Sequence, residues 1–244
     1  MKSGRSQFAK ELERSFVEER LIDQVSTFGM TTRLVWTKTP SLQEFSEIEI
    51  VQGIRNLTRQ GVLEPHPLHH GRFYFALTTS AAKQKNVEST QGGPFSEREK
   101  YCAYAKLLTG IVYLPHSIPV TGRKLDALLG RDSKGLPNIL MADNEKRLLF
   151  WIRIDSCPYS IPSRTAQQLR SDLFRIEKLG SMRTLIKQKQ FEIVLLSCTL
   201  QRSDAILEQF RSYSRVGASP VRPVIVPELL PLLTSVKIGH HMNL

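Results

Sequence analysis

The sequence predicts a mixed α/β fold in two domains, and three observations lead to that expectation. Apolar residues recur at helical spacing through most of the first 60 positions. A polar segment that contains Gly92-Gly93-Pro94 then interrupts the pattern. Beyond it, short apolar runs typical of strands alternate with further helical patterns. We therefore expect one domain at 1–83, a linker at 84–96 and a second domain at 97–244.

Three helices and a hairpin account for the first domain. Gly29 and Gly61 end two of the helices, and a turn-rich loop over 64–72 separates the two strands. This order is that of a winged helix-turn-helix, whose third helix enters the DNA major groove while the hairpin loop contacts backbone. The expected elements are helices over 9–28 and 46–60, a short helix through 34–36 that Thr31 or Thr32 caps, and strands over 62–63 and 73–77.

Polar side chains opposite the apolar face of the third helix suit contact with DNA. Arginine matches guanine edges and phosphates, and glutamine and asparagine match adenine. The alternative is an ordinary solvated helix face. The candidate DNA-binding residues of this domain are Arg33, Gln52, Arg55, Asn56, Arg59, His69, His70 and Arg72.

The histidines of the hairpin loop allow two interpretations. Two or three imidazoles among His66, His69 and His70 could bind a metal ion. The segment contains prolines, however, and lacks the alternate spacing that would place two imidazoles on one side of a strand. We therefore favour a wing loop that contacts phosphates, and we expect no metal ion and no cofactor.

The second domain has the element order of a restriction-endonuclease-like core. Enzymes with that core carry Pro-Asp on one strand and acid-x-Lys on the next, and the carboxylates hold Mg²⁺ for phosphodiester cleavage. The expected elements are helices over 96–108, 123–129, 163–189 and 203–213 and strands over 111–114, 138–142, 147–154, 191–197 and 221–226.

The carboxylates of such a site are replaced in this chain. Asn138 follows Pro137 where an aspartate would lie, and Arg153 stands at the acidic position of the next strand. Asp155 alone is a weak ligand set, and pairing with Arg153 or capping of the next turn is its simpler role. We therefore expect no catalytic residue, or Asp155 with Mg²⁺ if the protein is an active nuclease. Tyr101, Tyr104 and Tyr159 are the candidates for a nucleophile in that case.

The combination of the two domains resembles the replication-relaxation family of mobile elements, which includes MobC-type plasmid mobilisation relaxases. The resemblance covers most of the chain and implies DNA binding at a transfer or replication origin and, in some members, strand nicking. This chain departs from the family at Asn138 and Arg153, where acidic residues are expected, and nicking is the activity that depends on those positions. The matching segments are Phe73-Tyr-Phe-Ala-Leu-Thr78, Pro137-Asn-Ile-Leu-Met141, Phe150-Trp-Ile-Arg-Ile-Asp155, the following long helix and Glu192-Ile-Val-Leu-Leu196.

The long helix expected over 163–189 carries a second group of cations. A basic stripe on one helix could follow a DNA backbone, and a solvated helix face near a dimer contact is the alternative. The candidate residues are Arg164, Arg170, Arg175, Lys178, Arg183 and Lys187.

Charge favours a polyanionic partner. The chain of 244 residues has 34 Lys and Arg against 23 Asp and Glu, a net charge of +11. Residues 1–83 hold 11 basic and 9 acidic residues, whereas residues 84–244 hold 23 and 14. The positive excess therefore lies mainly beyond the linker.

Other features of the sequence exclude several classes of protein. No apolar run approaches the roughly 20 residues of a membrane span, and because the N-terminal residues lead into a charged helical pattern we expect no secretory signal. The cysteines, Cys102, Cys157 and Cys198, are too far apart for a zinc site or a disulfide framework, which suits free thiols in the cytoplasm.

These expectations combine into a non-catalytic, sequence-specific double-stranded DNA-binding protein of a mobile element, acting in transcription regulation or at a transfer or replication origin. Two alternatives stay open, namely a MobC-type relaxase that nicks a transfer origin with Mg²⁺ and an adaptor that binds protein through its winged helix. A homodimer and proteins of a mobilisation complex are further candidate partners, and no membrane contact is expected.

Overall fold

The computed structural model divides the chain into two compact units, Met1–Pro115 and His116–Leu244. The structure describes the backbone of the residues given at the end of this paragraph, and the side chains of all of them except 3–15 and 123. Both units contain helices and strands, so the chain is mixed α/β as the sequence predicts. The residues described are 3–85, 93–120, 122–130, 136, 139–143, 145–156, 160–212 and 221–234.

The first unit consists of helices around a two-stranded hairpin. The helices expected near 9–28, 34–36, 46–60 and 96–108 are confirmed. The elements are α1 (Ser3–Phe28), α2 (Arg33–Trp36), a 3₁₀ turn (Pro40–Leu42), α3 (Glu47–Arg59), β1 (Leu63–His69), β2 (Arg72–Leu77), α4 (Thr79–Gln84), α5 (Glu97–Leu108) and a π-helical turn (Thr109–Tyr113).

Helices α1 and α3 pack closely because a glycine lies at their contact. A Cβ atom on Gly53 would lie 3.0 Å from Val17 Cγ1 and 3.2 Å from Leu21 Cδ1, closer than side chains normally approach. Ile50 and Ile54 of α3 are buried on the same side. The contact therefore fixes which face of α3 is turned away from the unit.

A buried polar network joins α1 to the residues around α2. Thr31 Oγ1 donates a hydrogen bond to Gln24 Oε1 over 2.7 Å, and Gln24 Nε2 donates to Thr39 Oγ1 over 2.7 Å. Trp36 Nε1 donates to Thr31 Oγ1 over 3.1 Å. Buried polar groups are tolerated when they are paired in this way, and the network holds α2 against the end of α1.

The hairpin is tighter than the sequence suggests. The expected loop over 64–72 is wrong, since β1 continues to His69 and the turn consists of His70 and Gly71, with φ of 42° and 73°. Phe75 N donates to Thr31 O and Thr31 N donates to Phe75 O, each over 2.9 Å, so Thr31 lies beside β2. β1 is then the edge strand, and an edge strand accommodates Pro65 and Pro67.

The expected strand over 111–114 is also wrong. The chain continues from α5 directly into the π-helical turn Thr109–Tyr113, in which Ile111 is buried. Leu108 and Thr109, where α5 meets this turn, both have right-handed helical φ and ψ, so the backbone keeps a helical path. The apolar run therefore belongs to a helical end. Helix α5, which the sequence division placed in the second domain, belongs to the first unit.

The second unit contains a five-stranded sheet in the order β3-β4-β5-β6-β7. β3, β4 and β5 are antiparallel neighbours, and β5, β6 and β7 are parallel. The expected elements near 123–129, 138–142, 147–154, 191–197 and 221–226 are confirmed. The elements are β3 (Ser117–Pro119), α6 (Gly122–Leu129), β4 (Leu140–Asp143), β5 (Leu148–Ile154), α7 (Pro162–Glu177), α8 (Gly180–Lys187), β6 (Phe191–Ser197), α9 (Leu200–Arg211), β7 (Val221–Ile225) and a 3₁₀ turn (Pro227–Leu229).

Two helix predictions in this unit need correction. The helix expected over 163–189 is two helices, because Leu179 adopts an extended conformation between α7 and α8. Helix α9 begins after Thr199, whose side chain accepts a hydrogen bond from Arg202 N, and not at Ser203. Ser203 lies inside α9 and is fully buried.

The core of the second unit forms where the helices cover the sheet. Trp151 and Phe191 on neighbouring strands are buried together with Leu169 of α7 and Phe210 of α9. The helices of the described ranges include none that is long and apolar enough to cross a membrane.

Candidate nucleic-acid interface

Helix α3 presents an exposed stripe that combines two cations with an isoleucine. Arg55 and Arg59 are exposed and lie four residues apart, and Ile48 at the start of the helix is 82% exposed. Gln52 lies between them and is half-buried. Because an α-helix has 3.6 residues per turn, these four side chains share one face. We call Ile48, Gln52, Arg55 and Arg59 the α3 stripe.

Asn56, expected to contact bases, is instead held within the unit. Asn56 Nδ2 donates to Glu18 Oε1 over 3.0 Å, and Asn56 Oδ1 accepts a hydrogen bond of 3.0 Å from Gln52 Nε2. Both polar groups of Asn56 are therefore in use. Because Glu18 of α1 holds Asn56, the Asn56 side chain in turn orients the amide of Gln52 at the border of the stripe.

The carboxylates at the start of α3 are both engaged. Glu47 Oε1 lies 2.7 Å from Arg33 Nε. Glu49 Oε2 accepts from the backbone N of Ser46 over 2.7 Å and from its Oγ over 2.6 Å, and these hydrogen bonds lower the pKa of Glu49. Arg33, a predicted DNA contact, therefore offsets the charge of Glu47 at the edge of the stripe.

The hairpin turn supplies the exposed groups next to β1 and β2. His70 and Arg72 are exposed at the turn, and Phe73 beside them is 54% exposed. His69 is half-buried, and burial together with the nearby Arg72 and His70 lowers its pKa. Of the two candidate histidines, the structure therefore turns His70 outward and His69 towards the interior.

The histidine cluster does not assemble into a metal site in the described part of the chain. His66 is buried with its ring centroid 5.2 Å from that of Tyr74. No group of three His, Cys, Asp or Glu side chains that could hold a metal ion occurs among the residues described.

In the second unit, Asp155 forms a buried ion pair with Arg202. Asp155 is 1% exposed, and its Oδ2 lies 2.7 Å from Arg202 Nε while its Oδ1 accepts from Arg202 Nη2 over 3.2 Å. Thr165 Oγ1 donates to Oδ1 over 3.1 Å, and Arg202 Nη1 donates to the backbone O of Ser160. The carboxylate that would serve a nuclease is thus already bound on both oxygens.

The expected partnership of Asp155 with Arg153 is wrong. Arg153 Nη1 lies 3.2 Å from Asp172 Oδ2, and its Nη2 donates to Gln168 Oε1 over 2.6 Å, both on α7. Successive side chains of a strand point to opposite faces, but Arg153 and Asp155 are two apart and the chain leaves β5 at Ile154. Asp155 is therefore free to turn towards α9. Asn138 and Tyr159 lie outside the described residues.

The two described tyrosine candidates for a nucleophile lie in the first unit, and the two described cysteines, which were expected only to be free thiols, are at least partly shielded from solvent. Tyr104 is buried in α5, and Tyr101 is half-buried on the same helix. Burial raises the pKa of the Cys102 thiol, and burial together with the negative charge of Asp155 raises that of Cys198 to about 11. Neither thiol carries appreciable thiolate at neutral pH.

The cations expected on one long helix are divided between α7 and α8. Arg164, Arg175 and Lys178 are exposed, whereas Arg170 is half-buried and donates to the backbone O of Gln209 on α9. Lys178 Nζ lies 4.3 Å from the centre of the Phe174 ring. The other two candidates, Arg183 and Lys187, are exposed on α8.

Sequence reasoning missed two residues of these sites. Ile48 was not singled out, although its position four residues before Gln52 places it on the stripe. Arg202 was not considered because 47 residues separate it from Asp155, and only the parallel pairing of β5 with β6 brings α9 beside that carboxylate.

Comparisons with family models, curated proteins and solved structures find no match for this chain.

Proposed function

We propose that the protein binds double-stranded DNA sequence-specifically and that its first unit is a winged helix-turn-helix. The observation that carries the proposal is the α3 stripe, in which Arg55 and Arg59 project from a helix whose opposite face is locked against α1. Arginine is the side chain that most often contacts guanine edges in the major groove. Helix α3 would enter that groove, and the hairpin turn would contact the adjacent backbone.

The order of elements supports this proposal. Three helices are followed by a hairpin, and Thr31, between the first two helices, lies beside β2. His70 and Arg72 at the hairpin turn place a cation where a wing would meet phosphates. The resemblance to the replication-relaxation family adds the proposal that the target lies in a mobile element, at a transfer or replication origin or at a promoter.

The second unit supports a binding role more than a catalytic one. Asp155 is the acidic residue expected to hold Mg²⁺, and Arg202 and Thr165 occupy both of its oxygens. The unit from 116 to 244 carries 19 basic and 11 acidic residues, so it would add non-specific attraction to DNA. We therefore propose that it contributes affinity for the backbone without cleaving it.

Selection from a pool of random duplexes tests the proposal directly. We expect enrichment of a defined sequence, which is then measured by fluorescence anisotropy against a scrambled duplex. Each arginine–base contact contributes about 1–3 kcal/mol, so Arg55→Ala combined with Arg59→Ala should weaken specific binding at least tenfold.

A charge-matched variant serves as the control. Lys83→Ala with Arg98→Ala removes the same two charges from exposed positions on α4 and α5 and should change specific affinity much less. Equal losses in the two double variants would show that only net charge matters and would reject α3 as the recognition helix. Failure to enrich any sequence would refute specific DNA binding and favour the protein-binding adaptor. Mg²⁺-dependent nicking of supercoiled DNA that Asp155→Ala abolishes would refute the non-catalytic role.

A further inference from the structure

We propose that Ile48 contacts the 5-methyl group of a thymine in the major groove and is a specificity-determining residue. This inference rests on the DNA-binding function proposed above and assigns one base preference to a residue of the α3 stripe. Thymine is the base that presents a methyl group in the major groove, and an apolar side chain is its natural partner.

The exposure of Ile48 has no structural explanation within the first unit. Ile50, Ile54 and Leu57 on the same helix are buried at 4% exposure or less, whereas Ile48 is 82% exposed. A β-branched residue is also a poor choice for an exposed helix position, because its χ1 freedom is restricted there. Ile48 therefore adds to neither the core nor the helix propensity, and it is the most exposed of the large apolar side chains among the residues described, so its side chain is available for a contact outside the unit.

The position of Ile48 in α3 agrees with a contact to a base edge. In helix-turn-helix proteins the N-terminal residues of the recognition helix lie against the bases, and Ile48 is the second residue of α3. Its neighbours Glu47 and Glu49 are engaged with Arg33 and Ser46. The outward-facing group of the first turn is therefore the isoleucine side chain.

The surroundings of Ile48 favour DNA over an apolar protein partner. The next two turns of the same face carry Gln52, Arg55 and Arg59, so the isoleucine is an isolated apolar group at the end of a polar, basic stripe. A docking surface for a protein would be expected to continue as an apolar patch. An apolar group followed by cations matches a thymine methyl flanked by base edges and phosphates.

Replacement of thymine by deoxyuridine tests the contact at a single methyl group. Starting from the duplex obtained by selection, each thymine is changed in turn to deoxyuridine, which keeps O4 and lacks only the methyl. Burial of one methyl group corresponds to about a fourfold change in affinity. We expect the native protein to lose roughly that factor at one or two adjacent positions.

The variants then assign the methyl contact to a residue. Ile48→Ala should bind the thymine and deoxyuridine duplexes equally, while Ile48→Val should keep part of the difference. Arg55→Ala is the control, because it should bind both duplexes more weakly and still distinguish them. Circular dichroism of Ile48→Ala should match that of the native protein, since the side chain is exposed.

Each remaining outcome has a defined meaning. Equal binding of all thymine and deoxyuridine duplexes by the native protein, or a selected site without thymine, overturns this inference while DNA binding stands. A deoxyuridine penalty that persists in Ile48→Ala also overturns it, because another residue must then contact the methyl. Absence of any selected duplex refutes the proposed function itself, and this inference with it.

Discussion

Removal of Arg202 should destabilise the second unit strongly, because it would leave the carboxylate of Asp155 buried without its cation. Asp155 is 1% exposed and the Arg202 side chain is 10% exposed, so water does not replace the lost partner. Breaking one side of a buried ion pair costs about 3–5 kcal/mol. We expect Arg202→Met, which keeps an apolar stem of similar length, to lower the free energy of unfolding by about that amount.

The double variant separates the ion pair from its packing. Asp155→Leu combined with Arg202→Met removes both charges, and an apolar pair of similar volume is often as stable as the buried ion pair that it replaces. We therefore expect the double variant to recover at least about half of the stability that Arg202→Met loses. Arg211→Met, at an exposed position of the same helix, is the control and should change stability by less than about 0.5 kcal/mol.

Tryptophan fluorescence in urea measures these changes in the second unit alone. The chain has two tryptophans, of which Trp36 lies in the first unit and Trp151 is buried at 3% exposure on β5. In a Trp36→Phe background the emission therefore reports the unfolding of the second unit. A loss below about 1 kcal/mol in Arg202→Met would refute the reasoning, since it would mean that Asp155 is hydrated or bound elsewhere. Stabilisation of the native second unit by Mg²⁺ alone would also contradict it.

Two further predictions concern the first unit. Gly53→Val should lower the free energy of unfolding of the first unit by about 1–3 kcal/mol, because even the Cβ atom would lie 3.0 Å from Val17 Cγ1. The control is Gly180→Val, which has open space around it and should lower the stability of the second unit less. Equal losses of stability in the two variants would contradict the close helix contact. The pKa of His69 is lowered in the folded state, so the unfolded chain binds more protons below about pH 6.5 and stability should fall as the pH drops through that value. His69→Phe should reduce this fall in urea titrations of the first unit at about pH 7.5 and about pH 5.5, and an unchanged pH dependence would show that other groups cause it.

The elements that were predicted from the sequence have strong local signals. Helix α3 has a capping serine, a glutamate three residues later, buried residues at helical spacing and a terminating glycine, and all of these act within one segment. The parallel strand β6 was predicted from the apolar run 193–196 with Phe191 before it, which reflects burial on both faces. In such segments local geometry and burial lead to the same structure.

The errors occurred where partners distant in the sequence decide the conformation. The strand through Pro65 and Pro67 was taken for a loop, because prolines disfavour strands unless the strand is at an edge, and edge position depends on the pairing of β2 with Thr31. Asp155 was assigned to the wrong cation for the same reason, since α9 reaches it only through the sheet. The break of the helix at Leu179 and Gly180 has a weak local signal, because a single glycine within a helical pattern is often tolerated.

The two prolines of β1 have a consequence for how the protein behaves at high concentration. Phe75 exchanges its backbone hydrogen bonds with Thr31, so its N–H and C=O point away from β1. Pro65 lies opposite Phe75 in the hairpin, and because the two residues do not bond to each other, the nitrogen of Pro65 points away from β2. Pro67, two residues further, faces the same way. The outer edge of the hairpin therefore offers no amide hydrogen at two successive outward positions, and a strand of another molecule could not pair with it there. The outer edge of β1 thus resists intermolecular β-sheet growth at these two residues through its backbone chemistry.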